Sequence, residues 1–438
     1  MPVSRSSLAR TLLLGAAIAG CGSAPDGTAP GQSPATGEPT ASASGARERD
    51  LQRVRAALEA NHPDPFLGEA AAFDGRIDVL RARAGGLDDD AFMVELMRLL
   101  AGRVGDGHTG LIPFAQADAG LTAWPLALYA FDEGLYVVDA RPPHEDAVGA
   151  RVVAIGGRPV DDVAAAVAPL VSADNEWTVR ARLPGYLVVP AVLRGLGLFD
   201  PAEAALTLED RAGATLELTP DEIPIDDFRR WRGLFDPLVP PALPPDGDGP
   251  LTLRNRDEHF WSAPAGDALY VGYNQVQGET AGGETIFELA GRIREALADG
   301  EVRRVVVDVR HNPGGENGSY PPLLEVLREL ATDRPGSVVV LIGRSTFSAA
   351  GNFITELAAT PGVRFVGEPS GGAPNMYGDA TLEQLPESGF IVHLATRRWE
   401  FAPGDDAAAI APDVAVPVRW ADYAAGGDPA LDAALGLE

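Results

Sequence analysis

The chain has 438 residues, 45% of them apolar, and carries 35 basic against 63 acidic residues for a formal net charge of −28. That length allows two or three domains with ordinary globular cores. The acidic balance excludes a folded body that binds nucleic acid or an anionic membrane surface, because phosphate contacts need clustered positive charge.

In chain order, Arg5 and Arg10 precede the apolar run Leu12 to Ala19, which is too short to span a bilayer and has the form of a bacterial export signal. It ends in Ile18-Ala19-Gly20-Cys21, the form of a lipobox, and Cys21 is the only cysteine in the chain. A single cysteine forms no internal disulfide, so lipidation explains its place. Residues 1–20 are expected to be a lipoprotein signal peptide. The mature protein is then exported to the cell envelope and anchored at Cys21 on a periplasmic or extracellular face, touching membrane only through that anchor. Residues 21–46 are mostly Ser, Ala, Gly, Pro and Thr, a composition that cannot bury a core and predicts a disordered tether with a reach of about 30 Å.

From 47 to 122 the pattern is helical, with Leu51, Val54 and Leu58 and then Phe92, Leu96, Leu99 and Leu100 at spacings of three and four. Residues 123–219 read as short strands, at 135–138, 150–155, 205–208 and 215–218, interrupted by a mostly helical stretch from Val163 to Phe199. Residues 220–266 are rich in proline and predict a connector or extended wrap, neither helix nor central strand. From 267 to 438 strands (269–274, 302–309, 338–342, 364–367) alternate with helices (285–298, 321–330, 348–359), the signature of βαβ units.

Two motifs in this last region carry chemistry. Val305 to Val309 reads as a buried strand leading through Arg310-His311-Asn312-Pro313 into Gly314-Gly315, and Thr346-Phe347-Ser348-Ala349-Ala350 places a serine where a strand passes into a helix. Adjacent glycines expose backbone N–H groups that can face a developing oxyanion, and a serine at a helix N-terminus is where a nucleophile would meet them. Alone, Ser348 reads equally as a helix cap.

A serine hydroxyl needs a base. The chain contains no lysine, and arginine cannot accept a proton at neutral pH. Of the six histidines, only His108 lies in a turn flanked by glycines, Gly105-Asp106-Gly107-His108-Thr109-Gly110. His311, beside the glycine turn, is the competitor.

These residues resemble the C-terminal-processing, or tail-specific, serine peptidases, in particular their tricorn-protease-like, histidine-using branch. The likeness rests on Asp106-Gly-His108-Thr, Asp308 to Gly315, Thr346-Phe-Ser348-Ala-Ala, Gly367-Glu-Pro-Ser-Gly-Gly372 and Ile410-Ala-Pro412-Asp413-Val, in the family's order over about residues 50 to 420. Where the lysine-using branch has its base, this chain has Ala373. The resemblance implies an α/β fold: a ClpP/crotonase-like spiral catalytic domain with an N-terminal helical cap at 47–122 and a PDZ-like β-rich module with an insertion at 123–219. It implies Ser348 as nucleophile, His108 as base, and the amides of Gly314 or Gly315 and of Ala349 as oxyanion donors. Carrying over the family's acidic residue gives Asp406, one methylene shorter than the family's glutamate, with Asp405, Asp413 and Glu368 as alternatives. Gly107 stands where the tricorn-like branch has a serine, so a triad is implied and not a tetrad. Asp308 and Arg310 read as a brace of the strand end, and Asn375, Tyr377 and Asp379 as cleft-lining or plain loop residues. No zinc spacing, phosphate loop or dinucleotide fingerprint is present, so no cofactor is expected. The implied activity is hydrolysis of peptide or protein substrates; the alternatives are a non-catalytic ligand- or peptide-binding protein on the same scaffold and an esterase.

Overall fold

The computed structural model describes residues 41–102, 105–116, 119–200, 205–232, 249–298, 300 and 302–437. The expected signal peptide, Cys21 and most of the expected tether lie outside the described residues.

The helices Ala41–Asn61, Ala70–Ala84 and Asp89–Ala101 open the described chain. Leu51, Val54 and Leu58 share a face, as their spacing predicts, and all three are buried. The first helix begins at Ala41, inside the segment expected to be a tether. Arg47 explains the difference: it donates to the carbonyl oxygens of Ala84 at 2.6 Å and of Leu87, and it pairs with Asp89. The third helix is capped by Asp88, whose carboxylate accepts from the Ala91 amide at 2.7 Å, satisfying one of the donors that a helix start leaves open.

The β-rich module is an antiparallel sheet of strands Leu126–Phe131, Gly134–Ala140, Arg151–Ile155, Leu206–Glu209 and Thr215–Leu218, paired in that order. The strands expected for a PDZ-like module fall in this sheet. Between its third and fourth strands lie the helices Val160–Val167, Glu176–Tyr186 and Pro190–Gly195, the insertion read from the sequence. The proline-rich stretch differs from its reading. Ile225–Arg232 is a helix with Asp226 and Asp227 in its first turn and Arg229, Arg230 and Arg232 in its last, charges placed to suit the helix dipole. Phe260–Ala265 is an edge strand, a position that tolerates Pro264.

The C-terminal region is built on a six-stranded sheet in the order 414–415, 363–367, 338–342, 304–308, 268–273, 260–265, parallel except for the edge strand Phe260–Ala265. Each strand from Ala268 to Gly367 lies beside the one before it, so the chain advances one way as a spiral of strand and helix. A parallel sheet is covered on both faces, which is why these strands are continuous apolar runs. Val305, Val307, Val338 and Val340 face the helices Ile286–Ala298, Pro321–Asp333 and Ala349–Ala358, whereas Val306, Val339 and Leu341 face the short helix Pro429–Leu435.

The end of the Arg304–Asp308 strand is braced as its sequence suggested. Arg310 pairs with Asp308 and with Asp428, each at 2.7 Å, and Tyr270 donates its hydroxyl to Asp308 at 2.7 Å. Burial pushes the Asp308 carboxyl up, but the Arg310 charge and its hydrogen bonds overcome this and hold it far below the ordinary value. Asp428 also caps the last helix by accepting from the Leu431 amide. Asp428→Ala therefore removes a buried charge partner and a cap together, and we expect a loss of about 3 kcal/mol in unfolding free energy. Urea titration checks this; an unchanged midpoint would contradict the brace.

Candidate active site

Two turns meet at Ser348. The first leaves the strand ending at Asp308 and is stiffened by Asn312, whose Nδ2 donates to the Tyr273 carbonyl at 2.8 Å while its Oδ1 accepts from the Gly314 amide at 2.9 Å. The second leaves the strand Val338–Ile342 and is held by Thr346, whose hydroxyl donates to the Val309 carbonyl at 2.7 Å. The Phe347 amide then donates to the Asn312 carbonyl at 3.1 Å. A side-chain carbon on Gly314 would lie 2.6 Å from Ser348 Cβ, and one on Gly315 would lie 2.1 Å from the Val276 carbonyl oxygen. Only glycines permit this approach.

Ser348 adopts φ 53°, ψ −129°, a region costly for a residue with a Cβ, by about 1–3 kcal/mol. Its hydroxyl makes no capping hydrogen bond, so the helix-cap reading fails. The strained backbone turns Oγ toward His108, and Oγ lies 3.0 Å from His108 Nε2. A nucleophile on a sharp strand-to-helix turn has this character.

His108 is delivered by the glycine-flanked turn. Asp106 Oδ1 accepts from the amides of His108 at 3.2 Å and Thr109 at 3.0 Å, and its Oδ2 lies 3.0 Å from His62 Nε2. The imidazole stacks on Phe347, with centroids 4.5 Å apart and planes at 19°. Burial, then the Arg182 charge, lower its pKa to about 4, with Asp106 opposing them. The ring is thus neutral near pH 7 and free to accept the Ser348 proton.

The structure does not bring Asp406 to His108. Asp406 is exposed in the loop after Glu400, and among the described residues no side chain partners His108 Nδ1. A hydrogen bond with the Tyr377 backbone favours the protonated ring. The other carboxylates are committed elsewhere: Asp405 Oδ1 accepts from Ala407, Asp413 Oδ2 accepts from Phe365, and Glu368 forms a buried bidentate pair with Arg344, each bond 2.7 Å. The loop that carries Asp406 is held by Asn375, which donates to the carbonyls of Ala402 and Asp405. His311 faces a separate cavity of about 80 Å³ with Arg310, Arg344 and Tyr129, and its pKa is lowered to about 3 by burial, then by Arg256.

Of the oxyanion candidates, Gly314 has its amide engaged by Asn312, so it cannot donate in this state. Among the described residues, the amides of Gly315 and Ala349 donate to no protein acceptor, and Ala349 begins the helix whose N-terminus adds positive potential. Also among the described residues, no group of three His, Cys, Asp or Glu could hold a metal ion. Phe347 and Arg182 had no sequence signal of their own; the Arg182 guanidinium lies 4.5 Å over the Phe347 ring.

No family model matches the chain, and no curated protein matches it. Solved structures do. Mature CPAF complexed with lactacystin is 14% identical over 88% of this chain and 96% of that chain with a TM-score of 0.59, and mature CPAF is 14% identical over 88% and 95% with a TM-score of 0.58. The photosystem II D1 C-terminal processing protease overlaps more loosely, 16% identical over 84% and 92% with a TM-score of 0.37. The chain has the fold of mature CPAF. At such identities the likeness is one of fold alone.

Because a methyl group at Gly314 must displace Ser348, we expect Gly314→Ala to slow acylation of Ser348 by an activated ester about 100-fold, read by the rate of ester cleavage. Wild-type rates in a folded Gly314→Ala protein would contradict the close approach.

Proposed function

We propose that the chain is a serine peptidase that hydrolyses peptide bonds through Ser348 and His108. One observation carries the reading: Ser348 holds a strained backbone at φ 53° while its Oγ lies 3.0 Å from His108 Nε2. Strain of this kind persists only where surrounding structure enforces it, and it gathers at functional sites.

In the proposed reaction His108 Nε2 takes the Ser348 proton as Oγ attacks the substrate carbonyl carbon. The carbonyl oxygen becomes an oxyanion between the amides of Gly315 and Ala349. His108 returns the proton to the leaving amine, and the C–N bond breaks to leave an acyl-Ser348. Water, deprotonated by His108, then releases the acid and restores Ser348. With no carboxylate at Nδ1 among the described residues, orientation of the ring falls to the Asp106 turn, the Phe347 stack and the Tyr377 backbone. Export and lipidation at Cys21, with substrates met at the cell envelope, complete the proposal.

A fluorophosphonate serine-hydrolase probe tests it. We expect labelling confined to Ser348, abolished in Ser348→Ala and reduced at least about 100-fold in His108→Ala, with peptides turned over in preference to small esters. No labelling of the folded wild-type chain would favour a binding protein on this scaffold.

A further inference from the structure

The helical insertion of the β-rich module reaches the catalytic turn, and its contact residue is a buried acid. Asp174 lies just before Asn175, the cap of the helix Glu176–Tyr186, and is 7% exposed. Its Oδ1 accepts from the Gly107 amide at 2.7 Å and its Oδ2 from the Ala373 amide at 3.3 Å. From the same helix, Arg182 donates to the Gly107 carbonyl at 2.8 Å and to the Ser172 carbonyl at 2.7 Å. Both polar groups of residue 107, the neighbour of His108, are thus gripped by the insertion. Asn175 extends the grip by donating to the carbonyls of Ser370, Gly371 and Ala408. Gly107 has no room for a side chain, since a Cβ there would lie 2.9 Å from Asp174 Oδ1 and from Phe347 Cζ.

We propose that Asp174 is a positioning residue for His108: its carboxylate fixes the turn that delivers the imidazole to Ser348, and neutralising that carboxylate loosens the turn. A carboxylate offers two acceptor oxygens, whereas the neutral acid keeps one good acceptor and gains a donor. The proton settles on Oδ2, which holds the longer bond, so the Ala373 amide is released and the Gly107 bond loses its charge assistance. The inference rests on the serine-hydrolase reading of Ser348.

The charged and titratable groups around Asp174 set when this happens. Asp106 from the turn and Arg182 from the following helix act on it directly; Arg182 in turn acts on His108, on Tyr186 of the same helix and on His393 of the strand Ile391–Leu394, while the 370–373 loop carries no charge. Burial is the largest influence and raises the Asp174 pKa to about 7; the Gly107 and Ala373 amides and Arg182 oppose it, and Asp106 adds to it. Above that pH the ionised group grips both amides. Below it the grip weakens while His108, with its pKa lowered to about 4, is still neutral. A fall in reactivity near neutral pH, which would ordinarily be assigned to the histidine, belongs here to the aspartate.

The test is the rate of fluorophosphonate labelling of Ser348 in the full chain from pH 4 to pH 9, for wild type and Asp174→Asn. The amide side chain mimics the protonated acid. We expect the wild-type rate to fall about tenfold as pH drops through about 7, and Asp174→Asn to hold the lower rate across that range. Nitrogen-15 NMR of ring-labelled wild type should find His108 neutral throughout the fall, a readout that needs no variant. A fall retained in Asp174→Asn, or a His108 ring that titrates with it, would overturn the assignment. Absence of labelling at every pH in wild type would instead overturn the serine-hydrolase reading.

Discussion

The site depends on one steric constraint, the approach of the Gly314 backbone to Ser348. The two segments meet because neighbouring parallel strands, Arg304–Asp308 and Val338–Ile342, end side by side and turn toward each other. With no side chain at Gly314, the serine can be pushed into a conformation that residues with a Cβ avoid. That conformation aims Oγ at an imidazole from a distant segment and leaves the Ala349 amide close to Gly314. The thread Asn312, Thr346 and Phe347 supplies the hydrogen bonds that sustain it. The strain is offset by this network and by the dry core of the sheet beneath.

Arginine serves as the structural cation throughout, and its fork suits bidentate pairing. The Arg310 and Arg344 pairs are buried, and each joins separate parts of the chain: Arg310 ties the glycine turn to the C-terminal helix, and Arg344 also donates to the Ala130 carbonyl of the β-rich module. Arg182 differs in gripping backbone carbonyls and stacking on Phe347. Burial and then its charge lower the His108 pKa and leave the ring neutral.

Ser348, His108 and the glycine pair were legible in the sequence because each sits in a turn whose local residues announce it. The strands beneath them were legible because a sheet buried on both faces writes an uninterrupted apolar run; the span 338–342 agrees residue for residue with the strand formed. The helix Ile225–Arg232 was missed because the prolines around it outweighed its own charge pattern. Asp406 is exposed in its loop, and the direction of a loop carboxylate leaves no mark in local sequence. Asp174 was invisible for a related reason. Beside Asn175 it looks like an ordinary start to a helix, and only the folded chain brings it to Gly107.

We propose Ser348 as an activated nucleophile whose oxyanion is met by Gly315 and Ala349, and a crystal structure of the chain after reaction with a peptide boronic acid would test this directly. We expect a covalent bond to Ser348 Oγ, one boronate oxygen about 2.7–3.1 Å from both the Gly315 and Ala349 amides, and the Gly314 amide still on Asn312. A boronate oxygen facing solvent, or a Ser348 backbone relaxed to negative φ, would contradict it.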